Sequence, residues 1–150
     1  MAVRNIVQTG DETLRKKCFE VTEFGEKLNQ LLDDMKDTLN ATEGVGLAAP
    51  QVGILRRVFI VKYEGYYFEC INPVISEMKG RCTEQEACLS VKGVSGPVER
   101  PTKIKVSFYD RNKTYHEIKV TGYLARIFCH EYDHLDGILF TDRAKNIVKD

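Results

Sequence analysis

The chain has 150 residues, 43% hydrophobic and 29% charged, enough for one domain with an apolar core and too few for two. Lys and Arg balance Asp and Glu at 22 each. A dedicated nucleic-acid or anionic-membrane binder needs a basic surface to neutralise phosphates, and this balance argues against both.

The N-terminal stretch MAVRNIVQTGDETLRKKCFE has no long apolar run and no small-residue cleavage site, so it does not read as a secretory signal. No stretch approaches the roughly 18 apolar residues of a membrane span. Cys18, Cys70, Cys82, Cys88 and Cys129 are odd in number and scattered, which favours free thiols or a metal ligand over a disulfide framework. A cytoplasmic protein is expected. No repeat or Ser/Pro/Gly-rich linker interrupts the chain, so residues 1–150 are expected to form a single domain.

From Phe24 to Thr42, Leu28, Leu31, Leu32, Met35 and Leu39 fall at helical spacing with acidic and basic residues between them, predicting a long amphipathic N-terminal helix. EGVGLAAPQVG follows, where Gly44, Gly46, Pro50 and Gly53 exclude a regular helix. RRVFIVKY is almost continuously apolar, as a buried strand is. KIKVSFYD alternates as a half-buried strand does, and YHEIKV suits an antiparallel partner across DRNKT. GYLARIFCHEYDHLDG returns to helical periodicity and is closed by Gly137. Antiparallel strands in the middle, packed around a C-terminal helix and with a helix towards the N-terminus, read as α+β.

The last helix carries the chemistry. In HEYDHLDG, His130 and His134 are four residues apart and share a face, with Glu131 beside them. Two imidazoles do not complete a catalytic site, which needs three protein ligands and an open position. Only sixteen residues follow His134, and they contain neither His nor Glu. His116 lies upstream in a strand-like run and reads as a half-exposed strand residue. Asp136, Asp142 and Asp150 remain downstream, but none falls in a recognisable third-ligand pattern, so the third ligand is expected from earlier strands, with a thiolate the best donor left. Cys18 follows a Lys-rich helical segment far from the motifs, and Cys70 reads as a small buried hydrophobe. Cys82 and Cys88 flank TEQEA. The setting EACLS, suggestive of an exposed strand edge, favours Cys88 without excluding Cys82.

Three motifs in order resemble those of the peptide deformylase family: GVGLAAPQ (Gly44 to Gln51), EACLS (Glu86 to Ser90) and HEYDHLDG. The likeness spans nearly the whole chain. It implies a hydrolase that removes the N-formyl group from the formylmethionine of newly synthesised proteins, with nascent chains as partners. It also implies one divalent metal on Cys88, His130 and His134, iron(II) foremost, with zinc(II) or nickel(II) as substitutes. A metal there lowers the pKa of water, and a thiolate ligand suits iron as well as zinc. Glu131, beside the first histidine, takes the role of general base and then acid to the departing amine. The Gln51 side-chain amide and the Leu89 N–H are the implied donors to the oxyanion.

Substrate contacts follow from the same resemblance. An extended peptide would add to strand edges through main-chain bonds, between Val45 and Gly46 on one side and Glu86, Ala87 and their neighbours up to Leu89 on the other. Tyr123, Arg126 and Ile127 lie on the helix face leading to His130 and are expected at the methionine pocket. Arg100 matches a family arginine near the peptide's downstream residues. Two features depart from the pattern. Ala87 replaces the usual glycine of the second motif, where a methyl group would narrow the groove if the position needs positive φ or close approach. The family's long C-terminal helix is expected to be short or absent, which bears on transient ribosome association. The alternatives are an HExxH metalloprotease, which needs a downstream third ligand, and a non-catalytic metal-binding module derived from a deformylase, which would need neither Glu131 nor Gln51.

Overall fold

The computed structural model describes residues 2–149. An extended N-terminal arm with one 3-10 turn at Glu12–Arg15 leads into α1 (Glu26–Asn40). Then come β1 (Gly46–Ala48), a 3-10 turn at Ala49–Val52, β2 (Val58–Tyr63), β3 (Tyr66–Lys79), β4 (Cys82–Cys88), β5 (Val91–Arg100), β6 (Lys103–Tyr109) and β7 (Tyr115–Thr121). The chain continues through α2 (Gly122–Leu135), α3 (Phe140–Arg143) and β8 (Val148–Lys149). One sheet has the order β1-β2-β3-β6-β7 and the other β4-β5-β8, with antiparallel pairing throughout. The architecture is α+β. Among the described residues no helix is long and apolar enough to cross a membrane.

The near-continuous apolarity of β2 has a direct cause. Successive side chains point to opposite faces of a sheet, and both faces of β2 are covered. Val58 and Ile60 pack with Leu31, Leu32 and Met35 of α1, whereas Phe59 and Val61 pack with Phe128 of α2. The Phe59 and Phe128 rings meet edge to face at 5.7 Å. Each such fully buried side chain stabilises the fold by roughly 1.5–3 kcal/mol. The sheet is thus held between the helix of the leucine stripe and the helix of the histidine pair.

Several elements differ from the sequence expectation. α1 starts two residues after Phe24 and stops two before Thr42, whose hydroxyl donates to the Leu39 carbonyl. Asp34, which falls between the apolar positions of the stripe, is buried, and accepts from the Ala2 and Arg4 nitrogens and from Gln30. It pins the N-terminal arm to α1. Strands are not confined to the middle, because β8 pairs with Val94 and Ser95 of β5 near the end of the chain. β3 escaped the alternation rule because its pairing slips between Ile71 and Val74, where Asn72 adopts φ 51°. Cys18 is not remote from the motifs: its N–H donates to the Leu135 carbonyl at the end of α2. His116 lies on β7, held by Asp110 at 2.8 Å.

α2 ends where its sequence says it must. Gly137 has φ 74°, and a Cβ there would lie 2.5 Å from the Arg15 carbonyl oxygen. Only glycine combines that backbone conformation with that approach. The arm before Cys18 therefore closes over the helix end, and α2 sits in a fixed register against the sheets.

Candidate active site

Cys88 is the last residue of β4, and a two-residue turn, Leu89–Ser90, joins it to Val91 of β5. The turn is anchored from three directions. Ser90 Oγ accepts from Gln51 Nε2 at 3.0 Å, the Ser90 carbonyl from the Thr9 N–H, and the Leu89 carbonyl from Gln8. These bonds present the Cys88 thiol to α2.

On α2, the i, i+4 spacing turns His130 and His134 towards that thiol. Cys88 Sγ lies 3.5 Å from His134 Nε2, and ligand atoms of Cys88, His130 and His134 all fall within 4.8 Å of one another. Donors of a tetrahedral ion with metal–sulfur and metal–nitrogen bonds of about 2.3 and 2.0 Å lie roughly 3.5 Å apart. The spacing and the donor set, one thiolate and two imidazoles, fit a divalent transition metal. Burial holds His134 below the ordinary histidine value, whereas at His130 burial is outweighed by hydrogen bonds to Cys88 and Glu86, which raise it. Cys82, the other thiol the sequence left open, is exposed at the far end of β4, beside Glu84.

His130 is oriented from behind. Its Nδ1 meets Glu86 Oε1 at 2.8 Å, which leaves Nε2 for the side facing Cys88. Glu86 in turn accepts from Arg100 Nε and NH2, both at 3.0 Å, and from Arg126 NH1 at 2.6 Å. Burial alone would raise the Glu86 carboxyl, but the hydrogen bonds from His130 and Arg100 outweigh it and bring it to about 2. Glu86 is thus a buried, fully ionised carboxylate. Glu86 was expected only on the substrate path; its position two residues before Cys88 was the available signal for this role.

Glu131 is 4% exposed, and its Oε1 has no hydrogen-bond partner among the described residues. Burial raises its carboxyl to about 7. Gln51 is fixed at both ends: its Oε1 accepts from the Ala48 N–H at 2.9 Å, and its Nε2 lies 3.6 Å from Cys88 Sγ. The amide nitrogen therefore points at the cluster.

A groove of about 480 Å³ opens over these groups. Val45, Gly46, the Glu86 to Leu89 segment, Tyr123, Arg126 and Ile127 all line it. Tyr123 is half-exposed at the rim against Tyr63, and Ile127 is shared with the core. Arg100 is the exception. It is 3% exposed, committed to Glu86 and Asp133, and absent from the groove wall, because two buried carboxylates draw its guanidinium inward. Ala87 lines the groove at the point where the β4–β5 register slips, and it is not among the residues with positive φ. The backbone therefore does not demand glycine there.

The sequence matches the polypeptide deformylase family over residues 3–150. The chain belongs to this family. It is 47% identical over 150 residues to the peptide deformylase of Caldicellulosiruptor bescii, covering all of this chain and 90% of that protein. It is likewise 47% identical over 144 residues to that of Clostridium botulinum, covering 96% and 98%. Its fold superposes on the crystal structure of the Thermotoga maritima peptide deformylase with a TM-score of 0.95 at 38% identity, covering 97% of this chain and 100% of that one. The Synechococcus elongatus enzyme in complex with actinonin gives 0.92 at 38% identity, covering 95% and 79%. The chain is a deformylase, a metal-dependent hydrolase that removes the N-formyl group from newly synthesised proteins. Membership favours that activity over the metalloprotease and the non-catalytic module.

Proposed function

We propose that Cys88, His130 and His134 hold the catalytic metal, that Glu131 handles the protons, and that Gln51 and Leu89 stabilise the oxyanion during deformylation of N-formylmethionyl peptides. The observation that carries this reading is the convergence of one thiol and two imidazoles within 4.8 Å, next to a buried carboxylate with an unpartnered oxygen. α2 is then the metal-binding helix, and residues 1–150 act as one catalytic domain. The thiolate suits iron(II) as well as zinc(II); the family resemblance favours iron(II) as the working ion, with zinc(II) and nickel(II) as substitutes.

When bound, the metal supplies an ionised water as nucleophile at neutral pH. Glu131 accepts a proton at its free oxygen and returns it to the departing amine. Gln51 Nε2 and the Leu89 N–H donate to the formyl oxygen as negative charge develops there. The Ala48 N–H holds the Gln51 amide in that orientation, so no reorganisation is needed during reaction. Val45 and Gly46 on one side and Glu86 to Leu89 on the other accept the peptide main chain in extended form, which reads no side chains. Tyr123, Arg126 and Ile127 receive the methionine side chain. The same reading extends to a cytoplasmic enzyme that acts on nascent chains, with no direct nucleic-acid or membrane contact.

Metal analysis of protein purified without oxygen, together with a formyl-Met-Ala assay, tests this. One equivalent of iron and formate release are expected. Full activity after exhaustive chelation, with no metal bound, would overturn it.

A further inference from the structure

The ion-pair chain behind His130 does not stop at Glu86. Arg100 NH1 continues to Asp133 Oδ2 at 2.6 Å, and Asp133 receives Arg143 of α3 at both oxygens, Nε at 2.6 Å and NH2 at 3.0 Å. The path Arg143–Asp133–Arg100–Glu86–His130 thus runs from a surface side chain, 44% exposed, through groups that are 10% exposed or less, to a metal-ligand histidine. We propose that Arg143 is a positioning residue for His130, acting through this path. The inference rests on the assignment of His130 as a metal ligand.

The argument is one of shared donors. Arg100 bridges two buried carboxylates, Glu86 and Asp133. Among the described residues, Asp133 has Arg143 as its only other ion-pair partner. With Arg143 in place, two of the three hydrogen bonds to Asp133 come from outside, and Arg100 keeps its two-pronged grip on Glu86. Without Arg143, Asp133 carries an unshared charge that competes for Arg100. The Glu86 carboxylate then loses its fixed plane, and with it the orientation of the His130 ring. An exposed ion pair ordinarily contributes little. This one is bidentate on a buried carboxylate, the geometry in which an arginine does count. Arg143 is not among the residues that line the groove, so its effect is separable from peptide binding.

Wild type, Arg143→Met and Arg143→Lys are stripped of metal and titrated with cobalt(II). Chelator competition gives the affinity, and visible absorption reports the geometry of the thiolate–imidazole site. Arg143→Met is expected to bind cobalt(II) more weakly by roughly 3–10-fold, less than the 10–100-fold typical for a direct partner of a ligand, and to shift the visible bands. Arg143→Lys, which retains the cation, should recover most of the affinity. KM for formyl-Met-Ala should stay at the wild-type value in both. A wild-type cobalt(II) affinity and spectrum in Arg143→Met overturns the proposal, whatever its melting temperature. A wild-type protein that binds no cobalt(II) overturns the metal assignment and this inference with it.

Discussion

Gly46 and Glu131 touch without a side chain to spare: a Cβ on Gly46 would lie 2.6 Å from Glu131 Oε2 and 2.9 Å from its Cγ. The glycine of the first motif is thus what lets the carboxylate of the third approach β1. Gly46→Ala should displace the Glu131 side chain while leaving the three metal ligands in place. Turnover should fall by about 10²-fold, the cost of misplacing a reacting group by an ångström, with bound metal unchanged. Wild-type kcat in this variant would show that the carboxylate need not sit where it does.

Glu131→Gln keeps the size of the side chain and removes its basicity. Metal content should match wild type, and kcat should drop by 10²-fold or more, roughly what positioned acid–base catalysis contributes. A loss of metal instead would show that the carboxylate holds the site together and would leave the protons to another group.

How much of this was legible in the sequence depended on how local each signal was. The leucine stripe of α1, the apolar run of β2 and the histidine pair of α2 are written within single elements, and periodicity reads them. β3 is broken by the φ 51° of Asn72, and β8 is too short to show any period. The site divides in the same way. His130, His134 and Glu131 share one helix turn, whereas Cys88 reaches them only through the β4–β5 hairpin, so composition and spacing left Cys82 in play. Arg100, Asp34 and Glu86 look like surface charges in sequence. Each is buried because a partner distant in the chain (Asp133, Arg4 and Arg126 respectively) meets it in the fold, and no local pattern records that meeting.

The thiols distinguish the ligand assignment. Cys18, Cys70 and Cys129 are buried; burial pushes Cys18 and Cys129 to about 11 and raises Cys70 well above the ordinary thiol value, so all three should resist alkylation in the native protein. Cys82 is exposed and Cys88 partly so. Native metal-free protein should therefore show two fast thiols and the metal-loaded protein one. Cys88→Ser should lose most of its metal and activity, and Cys82→Ser should keep both. Equal metal in Cys88→Ser and wild type would rule out Cys88 as the ligand.

Asp34 predicts an acid limit to stability. Burial would raise its carboxyl, but the hydrogen bonds from Gln30, Arg4 and the Ala2 N–H prevail and hold it below the ordinary 3.8. A carboxyl that is more acidic folded than unfolded stabilises the fold fully above its unfolded value, and that contribution disappears as the pH falls through the folded value. Stability should therefore decline from about pH 4 downwards, with the N-terminal arm released first. Asp34→Asn should be less stable than wild type at pH 7, and the difference should shrink at pH 3. An undiminished difference at pH 3 would show that charge at Asp34 is not what secures the arm.

The substitution of Ala for the family glycine at position 87 can now be weighed against geometry. Because Ala87 has no positive φ, its methyl strains nothing, and Ala87→Gly gains no backbone relief. It should instead cost stability, by about 0.5–1 kcal/mol from the added freedom of glycine in the unfolded chain. The methyl does line the groove, at the slip in register just before Cys88. A peptide main chain pairing with this edge must pass it. If the methyl only narrows that passage, it weakens ground state and transition state alike, and Ala87→Gly should lower KM with kcat nearly unchanged. If it displaced the Leu89 N–H, kcat would rise in the variant. The first outcome is expected, because Leu89 is held from its other side: its carbonyl accepts from Gln8, and the adjoining Ser90 is bound to Gln51 and Thr9. Steady-state kinetics on formyl-Met-Ala separate the two. An unchanged KM together with an unchanged kcat would show that this edge accommodates the methyl without cost to the peptide.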